Sequence, residues 1–276
     1  MGCKKGFIVL VVLILSLFSV SAYTSSDSPL DEWRMFGRHL NHSHYTSSYA
    51  PTNISEAPTI TYTGFSLYPY STPAVANGIL YIAEVDNFFH ALNATNISQV
   101  INKPSIYYSS DVPAIAGDYV YYNARWSHGT SNGYLYQLNA SNISETIASY
   151  YLSDTNNVFL GSPAVSNGSV YIGTYADYVF YQLNASDVSK SIGIADLGWG
   201  VNCYSSPAVA NGFVYVGCND DKLYQLNATD ITNIIDSYTT GGDVDSSPAV
   251  TAEYVYVGSD DDKVYQLNAS NVSQLI

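Results

Sequence analysis

The most constraining feature of this chain is a phrase that returns five times. It reads Ser-Thr-Pro-Ala-Val at 71–75, Asp-Val-Pro-Ala-Ile at 111–115 and Gly-Ser-Pro-Ala-Val at 161–165, then Ser-Ser-Pro-Ala-Val at 205–209 and 246–250. Its prolines, Pro73, Pro113, Pro163, Pro207 and Pro248, stand 40 to 50 residues apart. Further along four of the repeats comes Tyr-Gln-Leu-Asn-Ala, at 136–140, 181–185, 224–228 and 265–269; the first repeat has His-Ala-Leu-Asn-Ala at 90–94. Self-similarity at such a period means one supersecondary unit used repeatedly, each copy burying the apolar face of its neighbour.

One repeat shows what the unit is. Ser205 to Ala210 reads as a short strand, and Asn211-Gly212 is the dipeptide that supplies two positive φ angles to a tight hairpin. Phe213 to Gly217 alternates as a second strand, Lys222 to Asn227 is a third, and Ile234 to Thr239 a fourth. No segment carries apolar residues at helical spacing over three turns. Few charged residues (12%) and 27 tyrosines also favour strands. Four short antiparallel strands per period predict an all-β fold, a β-propeller of four-stranded blades. Blades start near 71, 111, 161, 205 and 246.

Ser-Pro-Ala-Val, Asn-Gly-Phe-Val-Tyr-Val-Gly and Asp-Lys-Leu-Tyr-Gln-Leu-Asn-Ala resemble the pyrroloquinoline-quinone (PQQ)-type propeller repeat. The segment from Trp33 through Ser43 is similar to the opening of such proteins. The resemblance spans roughly residues 31–276. It implies either a quinoprotein dehydrogenase or a non-catalytic relative such as an outer-membrane assembly lipoprotein. The enzymes of the family carry a Thr-Gly motif and a downstream Trp that docks blades. Here the matching positions hold Ser144-Glu145 and Thr232-Asn233, with Ile147 and Ile235 in place of the Trp, and no adjacent cysteine pair exists. The expectation is a non-catalytic member without a cofactor.

The two ends of the repeat region complement each other. Asn53-Ile54-Ser55-Glu56 copies Asn142-Ile143-Ser144-Glu145, so 59–66 reads as a fourth strand lacking its first three. The last repeat shows three strands before Ile276. An N-terminal strand closing the last blade would remove an open sheet edge and give five blades. The resemblance implies seven or eight blades as the usual count, so a fragment of a larger ring is the alternative.

The first 22 residues read as a secretory signal: Lys4 and Lys5, an apolar run from Phe7 to Phe18, then Val20-Ser21-Ala22 as a cleavage site. A retained N-terminal anchor is the other reading, and the only membrane contact expected. Residues 23–58 form a leader, and 59–276 the propeller. Export predicts a secreted or cell-surface protein and an oxidising setting. The net charge is −14, and Lys103, Lys190, Lys222, Lys263, Arg34, Arg38 and Arg125 are scattered, which excludes nucleic acid as partner. Hairpin register places Cys218 opposite Ser205, two residues from Cys203. A bulge would bring the sulfurs to bonding distance; without one they are separate buried thiols.

Chemistry-bearing residues are mostly absorbed by the repeat. The spacing of His39, His42 and His44 fits no metal motif, and acidic turns such as Asn219-Asp220-Asp221 read as turn formers. Glycine-rich phosphate loops, nucleophile elbows and zinc-protease helices are missing from the sequence, so no catalytic or metal residue is assigned. Tyrosines 81, 121, 171, 215 and 256 recur at one place in the second strand, which predicts packing between blades.

Two features exceed the repeat. Repeat two has an insertion between its second and third strands, Asn123 to Gly133, carrying Arg125, Trp126 and His128. In a propeller it shares a face with the loops joining successive blades, which hold Tyr70, Asp111, Phe159, Trp199 and Tyr204. Arg125, Trp126, His128, Tyr70, Trp199 and Tyr204 are therefore the candidates for binding a protein or a glycan. The second feature is eleven Asn-x-Ser/Thr sequences, at Asn41, Asn53, Asn93, Asn96, Asn139, Asn142, Asn167, Asn184, Asn227, Asn268 and Asn271. All but the first two fall in turns on the opposite face. They read either as glycosylation sites or as plain turn chemistry.

Overall fold

The computed structural model describes residues 62–65, 71–84, 88–105, 112–125, 133–153, 161–174 and 178–276. The residues read as a secretory signal, those read as a leader with Asn41 and Asn53, and Tyr70, Asp111, Trp126, His128 and Phe159 lie outside them.

Five antiparallel sheets of four strands follow one another along the chain. The first is β1 (Ala74–Ala76), β2 (Ile79–Glu84), β3 (Phe88–Asn93) and β4 (Val100–Asn102). The second is β5 (Ala114–Ala116), β6 (Tyr119–Arg125), β7 (Gly133–Asn139) and β8 (Asn142–Ser153). The third is β9 (Ala164–Ser166), β10 (Ser169–Gly173), β11 (Val179–Asn184) and β12 (Ser191–Asp196). The fourth is β13 (Ala208–Ala210), β14 (Phe213–Gly217), β15 (Lys222–Asn227) and β16 (Asp230–Thr239). The fifth is β17 (Ala249–Val250), β18 (Tyr254–Ser259), β19 (Lys263–Asn268) and β20 (Asn271–Leu275). Each sheet is a propeller blade.

Register explains the repeated phrases. In the fourth blade Ala208 pairs with Tyr215, and Tyr215 with Gln225, so these three stand in one row on one face. Val209, Val214 and Leu226 form the row on the other face. Both rows are buried, which is why the inner strands lack polar alternation. The first turn of the blade is Asn211-Gly212, with φ of 55° and 82°, as a tight hairpin requires.

The same joint links each blade to the next. Tyr81 Oη donates to the Ala140 carbonyl at 2.7 Å, and Tyr171 Oη to that of Ala228 at 2.5 Å. Tyr121 and Tyr215 do the same to Ala185 and Ala269. Three glutamines reinforce it: Gln137, Gln182 and Gln225 donate to the carbonyls of Ala185, Ala228 and Ala269 at 3.1 to 3.2 Å. Each glutamine Oε1 accepts the N–H three residues beyond that alanine, from Val188, Ile231 and Val272. The Ser-Pro phrase supplies an inner ladder, in which Val112, Ser162 and Ser206 donate backbone N–H to Ser162 Oγ, Ser206 Oγ and Ser247 Oγ.

Two expectations are corrected. The last blade does not need an N-terminal fourth strand, because the chain's own β20 holds that place. The fourth strands begin earlier than their apolar stretches, at the Asn-x-Ser/Thr turns, and stay paired through bulges in the ladder. Tyr62 and Phe65 pair with no strand and pack on the first blade against Val75, Leu80, Ile82 and Leu92. Tyr62 Oη stands 3.2 Å from His90 Nδ1, and the other ring nitrogen lies 2.8 Å from the fully buried Glu84 carboxylate. Burial holds His90 below its ordinary pKa.

Candidate binding face

Two ends of the propeller differ in chemistry. At one end lie the turn after the first strand and the turn after the third, tied together by bonds such as Ala185 N–H to Gly168 and Ala228 N–H to Gly212. Asn93, Asn139, Asn184, Asn227 and Asn268 each open the second of these turns. In every case Oδ1 accepts the backbone N–H and the hydroxyl two residues on, the hydroxyl at 2.7 Å. Asn96 and Asn271 repeat the arrangement with Ser98 and Ser273. Asn142 Oδ1 accepts the Ser144 N–H and the Asn102 amide of the preceding blade, while the Ser144 hydroxyl turns to Asn102, and Asn167 takes φ 49° in a hairpin turn. These asparagines close turns by side-chain mimicry of the backbone.

At the other end converge the loops after the second strand and the loops between blades. Trp199 stands on the loop from β12 to β13 and is 92% exposed. Gly198 and Gly200 flank it with φ of 111° and 86°, values an L side chain resists, so the indole is carried on a tight reversal. Val201 N–H closes that reversal on the Gly198 carbonyl at 3.1 Å, and Asp196 caps it by accepting from Gly198 N–H. Tyr178, at the mouth of β11, places its ring 6.0 Å from the indole.

The base of this loop is pinned covalently. Cys203 and Cys218 are joined by a disulfide with Cα atoms 4.1 Å apart, both residues buried. The hairpin register does place Cys218 across from Ser205, but the ladder stops at β13. Ser205 turns its Oγ onto the N–H and carbonyl of Gly217, at 2.7 and 3.0 Å, and the chain before it swings toward Cys218. Gly173 makes room, since a Cβ there would meet the Cys203 carbonyl at 2.6 Å. Asn202 N–H and Asn219 Oδ1 add a 2.6 Å bond beside the bridge.

Further round the face the loops of blades four and five are acidic. Asp220 Oδ2 takes Lys222 Nζ and Tyr224 Oη, each at 2.6 Å, and Asp261 repeats this with Lys263 and Tyr265 at 2.7 and 2.6 Å. Those donors hold the Asp261 carboxyl well below the usual range. Asp243 goes the other way, raised by burial and then by Asp245, Asp221 and Asp260. Asp245 is raised by burial and by Asp260. Among the described residues no group of three or more His, Cys, Asp or Glu is arranged to hold a metal.

Of the residues singled out in the sequence, Trp199 and Tyr204 lie on this face, with Tyr204 partly buried beside Cys203. Arg125 ends β6 opposite Gly133, at the root of the insertion. Tyr178 was missed: it lies in a turn outside the recurring strand positions, and only the fold brings it to Trp199.

No family model and no curated protein matches the chain. Among solved structures it is similar to BamB from Moraxella catarrhalis, at TM-score 0.61 and 15% identity, over 76% of this chain and 61% of that one. It is also similar to the quinohemoprotein alcohol dehydrogenase ADHIIG from Pseudomonas putida HK5 (TM-score 0.67, 14% identity, 89% of this chain and 47% of that one). A third is the quinohemoprotein alcohol dehydrogenase from Comamonas testosteroni (TM-score 0.67, 15% identity, 88% and 48%). The fold class is thus that of the PQQ-type β-propellers the repeat phrases resemble. The chain spans about three-fifths of the BamB chain and about half of each dehydrogenase.

The described residues at the positions where the resemblance would place a quinone site do not fit that cofactor. Ile147 and Ile235, which stand where the docking tryptophan would fall, are exposed on outer strands. The two cysteines are 15 residues apart and locked under a loop.

Proposed function

We propose that this chain is a secreted or cell-surface propeller serving as a non-catalytic binding scaffold for protein or carbohydrate, through the face that carries Trp199. The observation supporting this reading is an indole 92% exposed beside a second aromatic, on a loop held by a disulfide and two glycine reversals. Rigid aromatic anchors bind at low entropic cost and dominate recognition energetics. The nine sequons on the opposite end fit a surface protein whose glycans would leave this face bare. The test is selection of random-library peptides and soluble glycans on the wild-type protein. Ligands that compete with one another and lose binding to Trp199→Ala support the reading. Ligands that bind the variant equally well oppose it.

One observation favours an enzyme instead: Asp243 and Asp245 are both raised in pKa among neighbouring carboxylates. Glycoside hydrolysis needs one carboxyl kept protonated and a second kept ionised, and a raised pKa suits the first of these roles. That reading requires turnover of an oligosaccharide that Asp245→Asn abolishes.

A further inference from the structure

The turn after the third strand has two side-chain-closed positions in every blade, three residues apart. The first is Asn93, Asn139, Asn184, Asn227 and Asn268; the second is Asn96, Asn142, Asp187, Asp230 and Asn271. Asp187 Oδ1 accepts the Ser189 N–H at 3.2 Å and its hydroxyl at 2.5 Å, and Asp230 does the same with Thr232 at 3.1 and 2.6 Å. These are the bonds the first-position asparagines make, so a carboxylate closes this kind of turn as a carboxamide does. Both donors point at one oxygen, and an ionised acceptor takes the stronger bond. The Ser189 hydroxyl accordingly holds the Asp187 carboxyl below its ordinary pKa, with Lys190 adding to the effect.

Turn chemistry alone therefore leaves the first position open to Asp, yet all five blades have Asn there. What Asn has and Asp lacks is the Nδ2 amide. In the first two blades that amide has a partner six residues on: Asn93 donates to Gln99 Oε1 at 3.1 Å and Asn139 to Glu145 Oε2 at 3.0 Å. In the third blade the same place holds Lys190, a cation that suits a carboxylate at 184 and instead pairs with Asp187 at 2.9 Å. Among the described residues Nδ2 of Asn184, of Asn227 and of Asn268 donates to nothing. All three side chains are partly exposed at strand ends, and two residues on stand the hydroxyls of Ser186, Thr229 and Ser270.

We infer that Asn184, Asn227 and Asn268 are N-glycosylated, on the amide nitrogen that the turn leaves unused. The inference rests on the secreted or cell-surface reading above, since the modification needs an exported chain. The co-reactant is a glycosyl donor with a phosphate leaving group. The sugar C1–O bond to phosphate breaks, a C1–Nδ2 bond forms, and one Nδ2 proton leaves with the phosphate. Oδ1 is untouched and keeps both turn bonds, so the glycosylated residue fits the fold as it stands. Other sequons have reasons of their own. Asn167 takes φ 49° ahead of Gly168, as Asn77 and Asn211 take 51° and 55° ahead of a glycine with no sequon. The Ser169 hydroxyl of that sequon is buried and accepts from Gln182 Nε2 at 2.9 Å. Asn142 is bonded to Asn102 across the blade joint, and Asn271 holds a place that Asp fills in blades three and four.

The experiment is site-resolved mass spectrometry of the full chain recovered from the extracellular and surface fractions of its native host. A saccharide mass is expected on Asn184, Asn227 and Asn268, with Asn167 and Asn271 bare. Exported protein with the three asparagines bare overturns the inference, as does equal occupancy at Asn167 and Asn271. A second measurement isolates the turn. Wild type and the combined Asn184→Asp, Asn227→Asp, Asn268→Asp variant, both made in a host that does not glycosylate, are expected to share one circular dichroism spectrum and one unfolding midpoint. A variant that unfolds earlier shows that the turn itself demands Asn, and removes the ground for the inference. Exported protein that is bare yet binds ligand through Trp199 sinks this inference alone; protein found only inside cells sinks the reading it rests on as well.

Discussion

The Tyr81 hydroxyl hydrogen-bonds the carbonyl oxygen of Ala140, 59 residues further along the chain and one blade over. The relation recurs at Tyr121, Tyr171 and Tyr215, and it gives two halves of the repeat a single purpose. The Asn-Ala that ends the third-strand phrase of one blade receives the tyrosine from the blade before.

This joint should be measurable by chemical denaturation. Tyr171→Phe removes one donor from a carbonyl that Gln182 still serves, and should cost about 1 kcal/mol. Gln225→Leu leaves the buried Val272 N–H without an acceptor and should cost more, about 2 kcal/mol. Tyr256→Phe, whose hydroxyl has no hydrogen-bond partner among the described residues, should leave the midpoint unchanged. Equal losses at Tyr171 and Tyr256 would contradict the role given to the joint.

The Cys203–Cys218 bridge closes a loop across a sequence separation of 15. A loop of that length restricts the unfolded chain by about 3 kcal/mol. Reduction of the wild type should lower its unfolding midpoint and open the Gly198–Cys203 segment to proteolysis. The Cys203→Ser, Cys218→Ser protein should show both effects without reductant and no further change with it.

Acidity should act on Asp243. Its folded pKa is raised, so the folded state binds the proton more tightly than the unfolded state does. Stability from this group is present at pH below the unfolded carboxylate value and is lost as pH rises through the folded one. Asp243→Asn, which mimics the protonated form, should raise the midpoint at pH 7 and leave it unchanged near pH 3. A gain of the same size at both pH values would show that the group is not charged against a penalty in the folded protein.

Much of this was legible in the sequence because the fold is repetitive. Pro207 and Asn211-Gly212 marked strand boundaries, and five tyrosines at one repeat position announced an interface. What escaped reading was tertiary. The bonding of Cys203 depends on Ser205 leaving the ladder for Gly217, which no strand pattern encodes. The start of β16 at Asp230 was hidden because its first residues alternate around bulges. Tyr178 and Trp199 are 21 residues apart and meet only when the loops before β11 and β13 converge. Tyr62 was legible as an outer strand, yet it packs on the first blade rather than pairing with β19.

The proposed recognition face rests above all on Trp199. The direct measurement is the affinity of a library-selected peptide or glycan for wild type and for Trp199→Ala, by isothermal titration calorimetry. A loss of about 30-fold is expected in Trp199→Ala, equivalent to about 2 kcal/mol, as for an aromatic anchor. Affinity unchanged in Trp199→Ala, with the ligand's footprint on the sequon end, would contradict it.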